Sequence, residues 1–262
     1  MRDSLSPAMH NAAFRSRGMD WVFVAFEVAA GEAATAVAGI RALGVEGLSV
    51  TMPHKAAVVG AVEQLSAVAE ALAAVNTVVR LPGGLLKGEN TDGAGFLESL
   101  RSDEGFDPDG RRCLVVGAGG AARAVVKALA DAGAAEVVVV NRTAANAEAA
   151  AALAGPVGRV GVAAEAGQAD LVVSAVPLGM AGRSDDDLPV DPADLGPGQL
   201  VVDLVSNPAV TPLVAAARAR GASSVNGLGM LVHQGALQQR LWTGDDPPVD
   251  VMRAAALAAL GR

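Results

Sequence analysis

Lys55 closes the run Ser49-Val50-Thr51-Met52-Pro53-His54-Lys55, and Asp92 stands further on in Asn90-Thr91-Asp92-Gly93. Lysine occurs only at 55, 87 and 127, and arginine supplies nearly all the other basic charge. A lysine kept in such a chain points to chemistry that arginine cannot do. An ammonium can release a proton near neutral pH when its surroundings lower its pKa; a guanidinium cannot. Reducing a carbonyl takes a hydride on carbon and a proton on oxygen. Lys55 can give that proton, and the Asp92 carboxylate can orient it. Either residue alone is more often a plain surface charge, so their polar neighbours matter. Thr51, Asn76 and Asn90-Thr91 each follow a short apolar run, which puts them near one sheet edge. Ser4 and Ser6 flank a helix start, where two hydroxyls and free N–H groups can hold a carboxylate. His10, His54 and His233 are scattered without metal-ligand spacing, so no metal is expected.

The hydride has a source in Gly117-Ala118-Gly119-Gly120-Ala121-Ala122-Arg123, which follows Arg112-Cys113-Leu114-Val115-Val116. Gly117, Gly119 and Ala122 meet the template Gly-x-Gly-x-x-Gly/Ala, with a strand before and a helix after. Such a turn binds a dinucleotide: the first glycine turns tightly, the second lets the backbone approach a pyrophosphate, and the helix N-terminus offers free N–H groups. The next strand runs into Asn141-Arg142-Thr143. An acidic residue there would suit the ribose of NAD, whereas Arg142 suits a 2′-phosphate, so NADP is the expected cofactor.

Strand and helix patterns alternate, which predicts an α/β fold with mostly parallel strands. Helices are expected at 7–17, with Ser6 as N-cap, at 32–43 up to Gly44, from Pro53 onward, and at 93–100, 121–132, 230–241 and 249–260. The alanine-rich stretch 144–154 is also a helix former. Strands are expected at 22–26, 48–51, 75–80, 112–116, 136–140, 171–174 and 200–204, with a Pro82-Gly83-Gly84 hairpin turn. Residues 101–110 read as a crossing between domains, and 181–199 as loop.

The 262 residues allow one large domain or two modest ones. No apolar run reaches membrane-span length and no signal peptide is apparent at the N-terminus. A net charge of −8 disfavours nucleic acid and anionic membranes as partners. Cys113 is the only cysteine, so a disulfide within the chain is excluded and a cytoplasmic location is expected.

These motifs, with Ser4-Leu5-Ser6-Pro7-Ala8-Met9-His10-Asn11, Ala74-Val75-Asn76-Thr77 and Gly227-Leu228-Gly229-Met230-Leu231-Val232-His233-Gln234, are similar in identity and order to those of the shikimate dehydrogenase family. The resemblance runs from residue 4 to the C-terminus. It implies a substrate domain of residues 1–94 and 229–262, with a mixed, mostly parallel sheet, and a Rossmann-like NADP-binding domain of residues 95–228. It implies reversible NADP-dependent reduction of 3-dehydroshikimate to shikimate, on the way to chorismate. Lys55 and Asp92 would be the catalytic pair. Ser4, Ser6, Thr51, Asn76, Asp92, Ser206 and Gln234 would contact the substrate. Gly117, Ala118, Gly119, Gly120, Ala121, Asn141, Arg142, Thr143, Leu204 and Gly227 would contact the cofactor. The partners implied are a small-molecule substrate and a second copy in a homodimer.

The chain departs from the family pattern at four places. A strand usually precedes the Ser-x-Ser motif, whereas Met1 lies three residues ahead of it; an internal start and exposed apolar surface are the expectation. Asp3 stands where the family often has His. Ser206 replaces a tyrosine near the substrate, which leaves quinate or an amino analogue open as substrates. Asn146 replaces a second basic residue near the 2′-phosphate. A non-catalytic NADP-binding relative is the alternative of another class, and retention of both Lys55 and Asp92 counts against it.

Overall fold

The computed structural model describes residues 4–178 and 188–261. The chain divides into two compact units, Met1–Gly95 with Val232–Arg262, and Phe96–Leu231. Among the described residues, no helix is long and apolar enough to cross a membrane.

The first unit holds α1 (Ser6–Ser16), α2 (Ala33–Leu43), β1 (Gly47–Ser49), β2 (Gln64–Leu65), α3 (Ala67–Leu72), β3 (Thr77–Arg80) and β4 (Leu86–Glu89). It also holds the start of α4 (Asp92–Glu98), most of α8 (Leu228–Thr243) and all of α9 (Val249–Leu260), which packs along α1. Its sheet runs β1-β3-β4-β2. The sheet is mixed, as expected, but β1 with β3 and β3 with β4 are antiparallel, and only β2 with β4 is parallel. Antiparallel pairing prevails because the hairpin at Pro82-Gly83-Gly84 folds β4 directly back on β3. Val37, Ile40, Val75, Val78 and Leu86 form the core beneath it.

Three local expectations for this unit are corrected. Residues 22–26 form no strand, because among the described residues they find no sheet neighbour. Instead the Asn11 side chain both donates to the Phe23 carbonyl, at 2.8 Å, and accepts its N–H, at 2.7 Å, while Val22, Val24 and Phe26 stay exposed. Ser6 is not the N-cap of α1: it is the first helical residue, Pro7 occupies the second position, and the Ser6 N–H points at the Ser4 hydroxyl at 3.4 Å. Pro53 starts no α-helix; the chain makes turns and a short 3₁₀ segment, Ala57–Ala61.

The second unit is a six-stranded sheet, parallel throughout. Its strands are β5 (Arg112–Val116), β6 (Glu136–Val140), β7 (Gly158–Val160), β8 (Leu171–Ser174), β9 (Leu200–Asp203) and β10 (Ser223–Asn226), in the order β10-β9-β8-β5-β6-β7. Helices α5 (Gly120–Asp131), α6 (Ala144–Ala151) and α7 (Pro212–Ala219) connect them. Side chains along the central strands alternate between two buried clusters: Cys113, Val115, Val137, Val139 and Val173 face one way, Leu114, Val138, Val172 and Val201 the other. A parallel sheet covered on both faces accounts for these unbroken apolar runs. Strand order reverses beside β5, between β5 and β8, and ligands of such sheets bind outside the carboxyl ends at that switch point. The π-helical turn Ser99–Asp103 continues α4 through part of the expected 101–110 crossing. Of the expected loop 181–199, residues 181–187 lie outside the described residues, and 192–194 form a 3₁₀ turn.

Candidate active site

Lys55 and Asp92 meet. Lys55 Nζ lies 2.6 Å from Asp92 Oδ2, with the lysine side chain 18% exposed and the aspartate 7%. Each is held by main-chain geometry. The Val75 N–H donates to the Lys55 carbonyl at 2.8 Å, tying the lysine loop to the segment leading into β3. Asp92 opens α4, where the partial positive charge of a helix N-terminus favours a carboxylate. Its N–H donates to Asn90 Oδ1 at 3.1 Å, and Asn90 Nδ2 donates to the Ala74 carbonyl at 3.0 Å.

Asn76 is the hub of the constellation and is buried. Its Nδ2 donates toward Asp92 Oδ1 at 2.8 Å, Thr91 Oγ1 at 2.9 Å and Gln234 Oε1 at 3.4 Å. Its Oδ1 accepts from the Thr91 N–H at 2.9 Å and the Thr77 hydroxyl at 2.7 Å. An amide nitrogen has two hydrogens, so three acceptors compete and the bond to Gln234 is the longest. α8 supplies more of the frame. Gln238 Nε2 donates to the Asn76 carbonyl at 3.2 Å, and Trp242 Nε1 to the Val78 carbonyl at 3.0 Å. Gln234, Gln238 and Trp242 are four residues apart and share one face of the helix. That spacing was present in the sequence, and it is the signal by which Gln238 could have been found. Gly95 permits this approach: a methyl group there would overlap the Gln234 backbone.

The other expected substrate residues are placed less tightly. Ser4 is exposed and its hydroxyl accepts the Ser6 N–H. Thr51 is exposed, and its carbonyl accepts the His54 N–H at 3.0 Å. Asp3 lies outside the described residues. His54 Nε2 lies 3.0 Å from the Val28 carbonyl, so it ties two loops.

The expected cofactor residues gather at the carboxyl edge of the six-stranded sheet. Gly117 leaves β5 with φ of 116°, a left-handed conformation that side chains rarely adopt, and its N–H donates to the Val140 carbonyl at 2.8 Å. Gly119 is the N-cap of α5, and the space where Gly119 and Gly120 would carry a Cβ is open. Asn141 Nδ2 donates to the Thr143 carbonyl at 3.0 Å, and Arg142 is exposed beyond the end of β6. On the other side of the switch point, the Leu204 N–H donates to the Ser174 carbonyl at 2.8 Å and the Gly227 N–H to the Val205 carbonyl at 3.0 Å. Asn226 Nδ2 donates to the Ser206 carbonyl at 3.3 Å.

This geometry has named counterparts. The family described as "Shikimate dehydrogenase substrate binding domain" matches residues 1–78, "Shikimate / quinate 5-dehydrogenase" matches 102–177, and "Shikimate 5'-dehydrogenase C-terminal domain" matches 227–257. A protein of Moorella thermoacetica named shikimate dehydrogenase (NADP(+)) is 47% identical, over 100% of this chain and 91% of its own length. The chain belongs to the shikimate dehydrogenase family. A second family member, from Methanopyrus kandleri and carrying the same name, is 47% identical over 98% of this chain and 92% of its own. The fold agrees as well. The crystal structure of shikimate 5-dehydrogenase from Thermus thermophilus in complex with NADP(H) and shikimate superposes with a TM-score of 0.92 at 37% identity, covering 99% of this chain and 96% of that one.

Proposed function

We propose that this chain catalyses the reversible, NADP-dependent reduction of 3-dehydroshikimate to shikimate. One observation carries the reading: the part-buried Lys55–Asp92 pair, fixed through Asn76, in a chain whose relatives bear that name. The carboxyl edge of the six-stranded sheet fits a dinucleotide, because the turn at Gly117 and the open space before Gly119 and Gly120 leave the α5 N–H groups facing outward. Gly117 to Ala121 would hold its pyrophosphate, Asn141 to Thr143 its adenosine half with Arg142 on the 2′-phosphate, and Leu204 and Gly227 its other half. When bound, the cofactor supplies or accepts the hydride.

The chain's own residues manage the proton. An ammonium has three hydrogens. Asp92 engages one and fixes the direction of the others, so Lys55 can protonate the substrate oxygen during reduction and accept its proton during oxidation. Asp92 stays in place because Asn76 and the α4 N-terminus hold it. The Asn76–Gln234 contact is the one a ring hydroxyl replaces at least cost, since it is the longest of three. Ser4, Ser6 and Thr51 complete the substrate contacts, the two serines at the carboxylate, and Ser206 belongs to the same proposed set. In this reading residues 1–94 with 229–262 take the substrate and 95–228 the cofactor. A cytoplasmic homodimer belongs to the same proposal, and light scattering on the purified chain reads its mass.

The test is reduction of NADP+ and NAD+ by the purified chain with shikimate or quinate. Turnover with shikimate and NADP+ supports the reading; faster turnover with quinate moves the assignment to that substrate. Arg142→Ala should raise KM for NADP+ about tenfold or more, the scale of a lost charge-assisted hydrogen bond, and leave KM for NAD+ nearly unchanged. Equal effects on the two cofactors would remove the 2′-phosphate contact.

A further inference from the structure

Asp203 is a buried carboxylate with no part in the proton chemistry above. It ends β9 and is 2% exposed. Its Oδ1 accepts the Val205 N–H at 3.2 Å, and the hydroxyls of Ser174, at the end of β8, and Thr211, the N-cap of α7, stand beside it. Burial raises its carboxyl above the usual carboxylate range, against these neighbours. An ionised carboxylate in such a place costs stability, and an apolar or amide side chain would avoid that cost. Its position offers a reason for keeping it. β8 is the first strand past the switch point, and β9 lies beside it. In a dinucleotide fold the first half of the sheet takes the adenosine, so the loops after β8 and β9 serve the nicotinamide half. The loop after β9 is held from three sides: Leu204 by Ser174, Val205 by Asp203 and Gly227, and Ser206 by Asn226. Gly227 packs so closely on the Leu204 carbonyl that a methyl group there would overlap it. Asp203 is the one charged group in this set, and it binds together the end of β8, the loop and the start of α7.

We propose that Asp203 is a positioning residue, which fixes residues 204–206 so that they hold the nicotinamide half of the cofactor in its reactive place. The proposal rests on the NADP-dependent reading above. Its test uses the full chain with Asp203→Asn, which keeps size and the Val205 acceptor while removing the charge. Expected are a melting temperature equal to or above that of the parent, an NADPH dissociation constant within about threefold, and kcat lower by at least about tenfold. The isotope effect on kcat with NADPH deuterated at the transferred position should rise, because a misplaced ring slows hydride transfer itself. Amide hydrogen exchange in 204–206 should quicken. Ser174→Ala, a milder change that leaves the carboxylate, should move kcat and exchange in the same directions and serves if the first variant does not fold. A kcat within twofold of the parent overturns the proposal, and so does a loss that follows the unfolded fraction with an unchanged isotope effect. If the parent turns over no shikimate, the functional reading fails, and unchanged exchange in 204–206 then overturns the positioning role separately.

Discussion

At the scale of residues, Lys55 shows why charge alone does not explain the site. An arginine at this place would keep the ion pair with Asp92 but has no proton to give. Lys55→Ala and Lys55→Arg should therefore both lower kcat by at least about 100-fold, the scale of a positioned proton donor, while cofactor binding changes little. Steady-state rates with shikimate and NADP+ check this, and near-normal turnover by the arginine variant removes Lys55 from proton transfer. The pair was legible in the sequence because lysine is rare here and both residues sit in polar runs. The amides that hold it were only partly legible. Asn76 stood out by its place after an apolar run; Gln238 carries only a spacing signal, since its contact depends on which face of α8 meets the segment at Asn76, and the bond from Asn90 to the Ala74 carbonyl depends on how two loops pack.

At the scale of elements, the site depends on how closely α8 can lie against the start of α4. Gly95 sets that distance. In Gly95→Ala the new methyl group meets the backbone of Gln234, not the flexible end of a side chain, so the helix must move. Overpacking of this kind costs about 1–3 kcal/mol. The expected result is a lower melting temperature and a KM for shikimate raised about tenfold, because Gln234 leaves Asn76 and Thr91, with KM for NADP+ little changed. An unchanged KM for shikimate would show that Gln234 does not bind substrate. The same contrast between local pattern and packing explains what the sequence revealed of the fold. β5, β6 and β8 match their apolar runs residue for residue, since central strands covered on both faces need apolar side chains throughout. β7 and β10 flank that sheet with Arg159, Ser223 and Asn226 among their residues, and no apolar run announces them. Residues 22–26 carry the opposite error: they have the apolar content of a strand, but a strand exists only through its neighbour.

At the scale of the whole molecule, the two units can be followed separately, and acid should loosen one of them through a single buried ring. Both tryptophans of the chain, Trp21 and Trp242, lie in the first unit, so tryptophan emission reports that unit alone. His10 lies fully buried there, stacked on Phe23 at 4.5 Å and tilted against Trp242 at 5.3 Å, with Gln239 Nε2 3.5 Å from its Nδ1. Burial pushes its pKa down from 6.5 to about 4, with Gln238 opposing the shift. A histidine whose folded pKa is depressed binds its proton more readily in the unfolded chain. Stability is therefore at its full value above pH 6.5, falls as pH drops from there to about 4, and levels off below, by on the order of 3 kcal/mol for this group. Denaturant unfolding followed by tryptophan emission should show that loss. His10→Phe keeps an aromatic ring against Phe23 and removes the proton site. Its stability relative to the parent should improve steadily over the same interval, whatever its value at neutral pH. Curves for parent and variant that stay parallel from pH 6.5 to 4 would mean that His10 is not the group whose protonation loosens this unit.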